Sequence, residues 1–281
     1  MTGKPEARNL KLSYMNDAKL HLDAGRLNAA VESALNLVKT NPTNGTARTF
    51  LFELSCFSGD WDRAEKQLDV IGHQDVNAMI GSTIYKQNLK AERDRANLFS
   101  HGSRPESAML LPDYVEDLLK ANDLIREGKT AEARVLLDEI DEKRPAFSCT
   151  VNGEAFSDFR DYNDSTMCVF EMIIKDSYVW LPFEHVQKIE FLERKSLRDV
   201  FWPQAQVEMT SGTNGEMFFP SLYVNSWKHE DDQIRLGKSV DWRDAGDEIY
   251  IGEGMKLFWM DGKDKSILDI QTIEFNHGQP E

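Results

Sequence analysis

The stretch that decides the fold is Arg48-Thr-Phe-Leu-Phe-Glu-Leu-Ser-Cys-Phe-Ser-Gly-Asp-Trp-Asp-Arg-Ala-Glu-Lys-Gln-Leu68. Phe50, Leu51, Leu54 and Phe57 recur at helical spacing before Gly59, and Trp61, Ala64 and Leu68 do so after it. Glycine supplies the tight turn between the two segments, and the small Ala64 five residues later lets the second helix approach the first. The pattern predicts two antiparallel helices joined at Gly59.

The same arrangement recurs. Gly25 precedes Ala30 by five residues and Gly128 precedes Ala133 by five, each between apolar helical segments. The spacing from Gly25 to Gly59 is 34 residues, and from Gly59 to Gly128 it is 69, about twice that. Pro42 and Pro145 follow the first and third glycines by seventeen residues, where proline stops the second helix. This is tetratricopeptide spacing. It sets repeats at 11–44, 45–78 and 114–147, with 79–113 as a degenerate unit: a surface-exposed helix through Tyr85, Leu89 and the run Lys90 to Arg95, then a loop from Gly102 to Pro112.

After Pro145 the period shortens. Segments 168–174 and 178–183 are short and rich in β-branched and aromatic residues, with a hairpin turn at Lys175-Asp176-Ser177. Further strands are expected at 186–192, 205–210, 216–223, 248–251, 255–259 and 267–275, with glycine turns at Gly212 to Gly215, Gly252 to Gly254 and Asp261-Gly262. The expected fold class is α+β: a tetratricopeptide-like helical array over 1–147 followed by a mostly antiparallel β domain over 148–281. The length of 281 residues suits two such parts.

The formal net charge is −15, which argues against a nucleic-acid or anionic-membrane target. Residues 1–145 hold 20 Lys and Arg against 23 Asp and Glu, whereas 146–281 hold 13 against 25, so the acidity belongs to the β half. The amino terminus has no apolar core and no segment approaches eighteen apolar residues, so a cytoplasmic protein is expected. Three cysteines without a CxxC pair fit reduced thiols.

Motifs of catalysis are absent: there is no GxSxG, no GxxxxGK[ST], no GxGxxG after a strand and no HExxH. Asp158, Asp161 and Asp164 have the spacing of a calcium loop without its turn glycine and final glutamate, so a solvated loop is expected. His229-Glu230-Asp231-Asp232 reads as a polar loop. No metal, cofactor or catalytic residue is assigned. Arg48 and Glu53 lie on the first helix of the second repeat, which lines the concave side of such arrays. Trp61 reads as packing at a helix start. Trp180 and Phe183, in a strand ending Trp-Leu-Pro-Phe, form either a buried face, the favoured reading, or an exposed patch.

Together with Tyr178-Val-Trp-Leu-Pro-Phe-Glu184 and Leu197-Arg-Asp-Val-Phe-Trp202, the opening stretch resembles the ImpE family, also called SciE-type or TagJ proteins, accessory components of bacterial type VI secretion. The order of helical array and β domain matches as well. One departure is the segment Asp161-Tyr-Asn-Asp-Ser-Thr-Met167, where the family usually has an Arg-Leu-Gly-like stretch. The resemblance implies a non-enzymatic cytoplasmic adaptor that binds the TssB/VipA-like small subunit of the contractile sheath, through a helix near that subunit's amino terminus, and assists sheath handling by the ClpV ATPase. The candidate partner-binding residues are then Arg48, Glu53, Asp60, Trp61, Trp180, Phe183, Arg198 and Trp202. Two readings compete: a general tetratricopeptide chaperone adaptor, which needs clustered Lys and Arg beyond Lys11, Lys19, Arg48, Lys120 and Arg126, and a hydrolase or small-molecule site in the acidic half.

Overall fold

The computed structural model describes residues 15–107 and 109–277; Lys11 and the start of the first repeat window lie outside them. Helices come first: α1 at residues 15–23, α2 Leu27–Thr40, α3 Gly45–Phe57, α4 Trp61–Gly72, α5 Val76–His101, α6 Asp113–Arg126 and α7 Thr130–Lys143. The strands follow: β1 Cys149–Val151, β2 Glu154–Phe156, β3 Arg160–Asp161, β4 Val169–Ile174, β5 Ser177–Pro182, β6 Val186–Phe191, β7 Gln204–Met209, β8 Asn214–Phe218, β9 Val240–Asp244, β10 Tyr250–Gly254, β11 Leu257–Met260, β12 Lys263–Ser266 and β13 Thr272–Phe275. Two short helices, α8 Leu197–Phe201 and α9 Asp232–Arg235, interrupt them. The chain is α+β, a helical array followed by antiparallel sheets.

The three repeat glycines do the same local work. Gly25, Gly59 and Gly128 have φ of 69°, 70° and 75°, a left-handed conformation that costs a residue with a Cβ about 1–2 kcal/mol. The following amide reaches back five residues in each case: Arg26 N to His21 O at 2.8 Å, Asp60 N to Ser55 O at 3.0 Å and Lys129 N to Leu124 O at 2.9 Å. These are Schellman closures, which satisfy carbonyls that the helix end leaves open. Ala30, Ala64 and Ala133 are fully buried where the paired helices meet.

By its internal contacts the chain divides into two compact units. One comprises the described residues up to Leu89 together with Asn225–Ser239; the other comprises Lys90–Val224 and Val240 onward. In the first unit the 225–239 segment lies on the turns of the first two helix pairs. A Cβ at Gly25 would fall 1.6 Å from the Gln233 amide, and one at Gly59 would fall 2.3 Å from the Trp227 ring. Arg235 donates to Asn28 Oδ1 at 3.1 Å, and Lys238 donates to the carbonyls of Leu22 and Asp23.

The second unit holds an eight-stranded sheet in the order β2-β1-β13-β6-β7-β8-β4-β5, a β10-β9 pair and a β12-β11-β3 sheet. All the ladders are antiparallel. Its core is a phenylalanine cluster: Phe183 meets Phe170 at 4.6 Å and Phe159 at 5.1 Å between ring centroids, and Phe159 stacks on Phe258 at 4.9 Å. The segment after α5 covers the free edge of β5, with Glu106 N donating to Tyr178 O at 2.9 Å and Trp180 N donating to Glu106 O at 3.1 Å.

Five sequence expectations are corrected. The run Lys90 to Arg95 is not a surface helix, because Ala91, Glu92 and Arg95 are buried and only part of the run faces water. Gly252 to Gly254 is not a turn but lies within β10, where Gly252 is needed because a Cβ would meet the Tyr223 ring at 2.4 Å. The span 267–275 is broken by a 3-10 turn at Ile267–Asp269, and the strand expected at 216–223 ends at Phe218, two residues before Pro220. Asp161 and Asp164 are not solvated: both are buried and hydrogen-bonded.

Candidate interaction surfaces

The conspicuous charges of the second unit face inward. Arg95, on α5, grips both oxygens of Glu171 on β4 at 2.8 and 3.0 Å, donates to the Leu222 carbonyl at 2.8 Å and lies 3.3 Å from Glu92. Lys256 binds Glu171 at 2.5 Å and Asp161 at 3.3 Å, and Tyr223 donates to Asp161 at 2.9 Å. Burial alone would raise the Glu171 carboxyl, but the facing charges of Arg95 and Lys256 hold it well below the usual carboxylate range. Asp161 keeps the upward shift that burial imposes, with Lys256 opposing it. Each member is fully engaged and buried, so the network fixes α5 to the sheet.

Two sequence candidates belong to this network. Trp180 Nε1 donates to Tyr178 OH at 2.7 Å, and that hydroxyl donates to Glu171 at 2.6 Å; Trp202 Nε1 donates to Glu92 at 2.9 Å. The stretches Tyr178 to Glu184 and Leu197 to Trp202 thus meet at α5. Trp180, Trp202 and Phe183 are at most 1% exposed and present no surface. Arg198 is half-buried on α8.

In the first unit Glu53 is 6% exposed. Arg48 is half-buried and donates to the Pro42 carbonyl at 2.7 Å and to Gln67 at 2.8 Å, tying α3 to α4. Asp60 caps α4, accepting from Arg63 N at 2.9 Å, and beside it Trp61 lines a shallow pocket of about 310 Å³ with Ser58 and Gly59. Apart from Asp60 and Trp61, which share this pocket, the candidates of the first unit are not gathered at one site.

Sequence reading missed an exposed apolar row of the first unit. Val76, Met79, Ile80 and Ile84 on α5 are 67%, 53%, 53% and 37% exposed. At positions i, i+3, i+4 and i+8 they form one stripe along the helix, and Gly81 beside them has open space where a side chain would stand. The signal was present in the sequence as apolar residues on both faces of one helix: one set, with Leu89, serves the core, and the other is exposed.

The second unit holds a cleft of about 720 Å³. Tyr162, Trp242, Tyr250 and Trp259 line it, with Arg144, Arg160 and their carboxylate partners. Arg144 makes a two-point pair with Asp158 at 2.8 and 2.7 Å and reaches Asp141 at 2.7 Å; Arg160 reaches Asp164 at 3.2 Å. Every carboxylate here already holds a guanidinium, and no group of His, Cys, Asp or Glu among the described residues is arranged to hold a metal. Burial pushes the Cys149 and Cys168 thiols up to about 12, which leaves no thiolate at neutral pH.

Residues 153–274 match the family model of the ImpE protein. Over 254 residues the chain is 28% identical to the type VI secretion system accessory component TagJ of Pseudomonas aeruginosa, covering 90% of this chain and 89% of that protein. The crystal structure of protein VPA1032 from Vibrio parahaemolyticus shares the fold with a TM-score of 0.85 at 24% identity, over 93% of this chain and 98% of that one. The likeness to the TagJ protein therefore extends beyond the region of the ImpE family model into the helical part of the chain.

Proposed function

We propose that the protein is a non-enzymatic, cytoplasmic adaptor of a type VI secretion system that holds an amphipathic helix of the small contractile-sheath subunit on the α5 stripe and so presents the sheath to the ClpV ATPase. The observation that carries this reading is the exposed row Val76, Met79, Ile80 and Ile84. A helix laid along it would bury apolar side chains worth on the order of 1.5–3 kcal/mol each. The name of the Pseudomonas aeruginosa relative, an accessory component of that system, supports the pathway. The engaged carboxylates and the protonated thiols support a binding role over hydrolysis.

The test is a calorimetric titration of the full-length protein with a peptide spanning the amino-terminal helix of the small sheath subunit from the same bacterium. Saturable binding with a Kd of roughly 0.1–10 μM is expected. Absence of binding at about 100 μM peptide would contradict the reading.

A further inference from the structure

The aromatic cleft of the second unit belongs neither to the buried network nor to the α5 stripe. We propose that it is a receptor for cationic side chains, taking an Arg or Lys from a basic stretch of a protein partner.

The wall is built to hold aromatic faces in place. Trp242 on β9 is in register with Gly252 on β10, and the missing side chain at Gly252 makes room for Tyr223. Trp242 packs on Tyr223 at 5.7 Å and on Tyr162 at 5.8 Å. Tyr250, 46% exposed, is anchored through its backbone, whose N–H donates to Asp164 Oδ2 at 2.8 Å. Large aromatics fixed at the rim of a cavity are costly to leave wet and are the side chains that interfaces favour.

Charge selects the occupant. An anion would need a free guanidinium, yet Arg144 is committed to Asp158 and Asp141, and Arg160 is committed to Asp164. Three carboxylates against two guanidiniums leave the lining with one surplus negative charge, and Asp141 stands at the rim with a side chain 45% exposed. The face of a Tyr or Trp ring attracts a cation through its quadrupole. The acidic excess of residues 146–281 draws a basic segment toward the same unit. A cavity of about 720 Å³ has room for more than one long basic side chain.

The experiment titrates the full-length protein, at low salt, with an acetylated and amidated Arg-Ser repeat octapeptide, following tryptophan fluorescence and heat. A matched peptide with citrulline in place of arginine keeps the shape and removes the charge. Saturable binding of the arginine peptide is expected, with the citrulline peptide at least about tenfold weaker. Tyr250→Lys should weaken arginine-peptide binding by about tenfold or more. Glu193→Gln removes one exposed negative charge outside the cleft and should change binding by less than about twofold. The proposal is overturned by no saturation at about 1 mM peptide, by equal binding of the citrulline peptide, or by equal effects of Tyr250→Lys and Glu193→Gln. Loss of sheath-helix binding on α5 would leave all these results unchanged.

Discussion

At the scale of single residues, Arg95 shows how far a charged run can mislead. Lys90 to Arg95 reads as a solvated helix face, because composition alone cannot say which members have partners distant in sequence. Arg95 finds Glu171 seventy-six residues away, and that pair is buried. Arg95→Met strands the Glu171 carboxylate and should lower unfolding free energy by about 3–5 kcal/mol in urea titrations. Lys90→Met on the same helix, where the side chain is 55% exposed, should cost no more than about 1 kcal/mol. Equal losses at the two positions would contradict the assignment of the network.

Glu171 also sets a pH dependence. In the folded protein it stays ionised below its ordinary value of 4.5, whereas the unfolded chain takes up a proton there. Its contribution is therefore complete above about pH 4.5 and is lost as pH falls below that value. The stability gap between the parent and Glu171→Gln should be constant from pH 7 to 5 and narrow on further acidification, measured by denaturant midpoints. A gap that widens in acid would have the wrong sign.

At the scale of elements, the helix pairs were legible because each carries its own punctuation. Gly25, Gly59 and Gly128 sit where the turn requires positive φ, and the alanines five residues on sit where two helices touch. The hairpins were legible only in part. Asn152-Gly153 joins β1 to β2 with φ of 51° and 83°, and Asp261-Gly262 joins β11 to β12 with 48° and 81°. Both are primed turns that match strand twist. The second was expected, but the first was passed over because the strands it joins are three residues each, too short to show alternation.

What no local pattern could reveal is that Asn225–Ser239 belongs with the first helices. Gly59 and Gly128 have the same backbone strain, but only Gly59 faces a ring, that of Trp227. Gly59→Ala should therefore destabilise by at least about 1 kcal/mol more than Gly128→Ala. In a double-mutant cycle with Trp227→Ala, the excess at Gly59 should largely vanish. Additive effects would show that the segment does not rest on this turn.

At the scale of the whole molecule, the charge of −15 resolves into a helical half near neutrality and an acidic β half. The apolar α5 stripe lies in the first unit and the aromatic cleft in the second. The resemblance to ImpE proteins was readable from the stretches around Gly59, Trp180 and Trp202. Within those stretches Trp180, Phe183 and Trp202 are buried in the core.

The central claim, that α5 is the docking face, is tested most directly by titrating the sheath-subunit helix peptide into Ile80→Glu and Tyr250→Lys side by side. Ile80 is 53% exposed, so its replacement should leave stability within about 0.5 kcal/mol. It should nevertheless weaken peptide binding by about tenfold or more, while Tyr250→Lys binds the peptide as the parent does. Undiminished binding by Ile80→Glu would contradict the account.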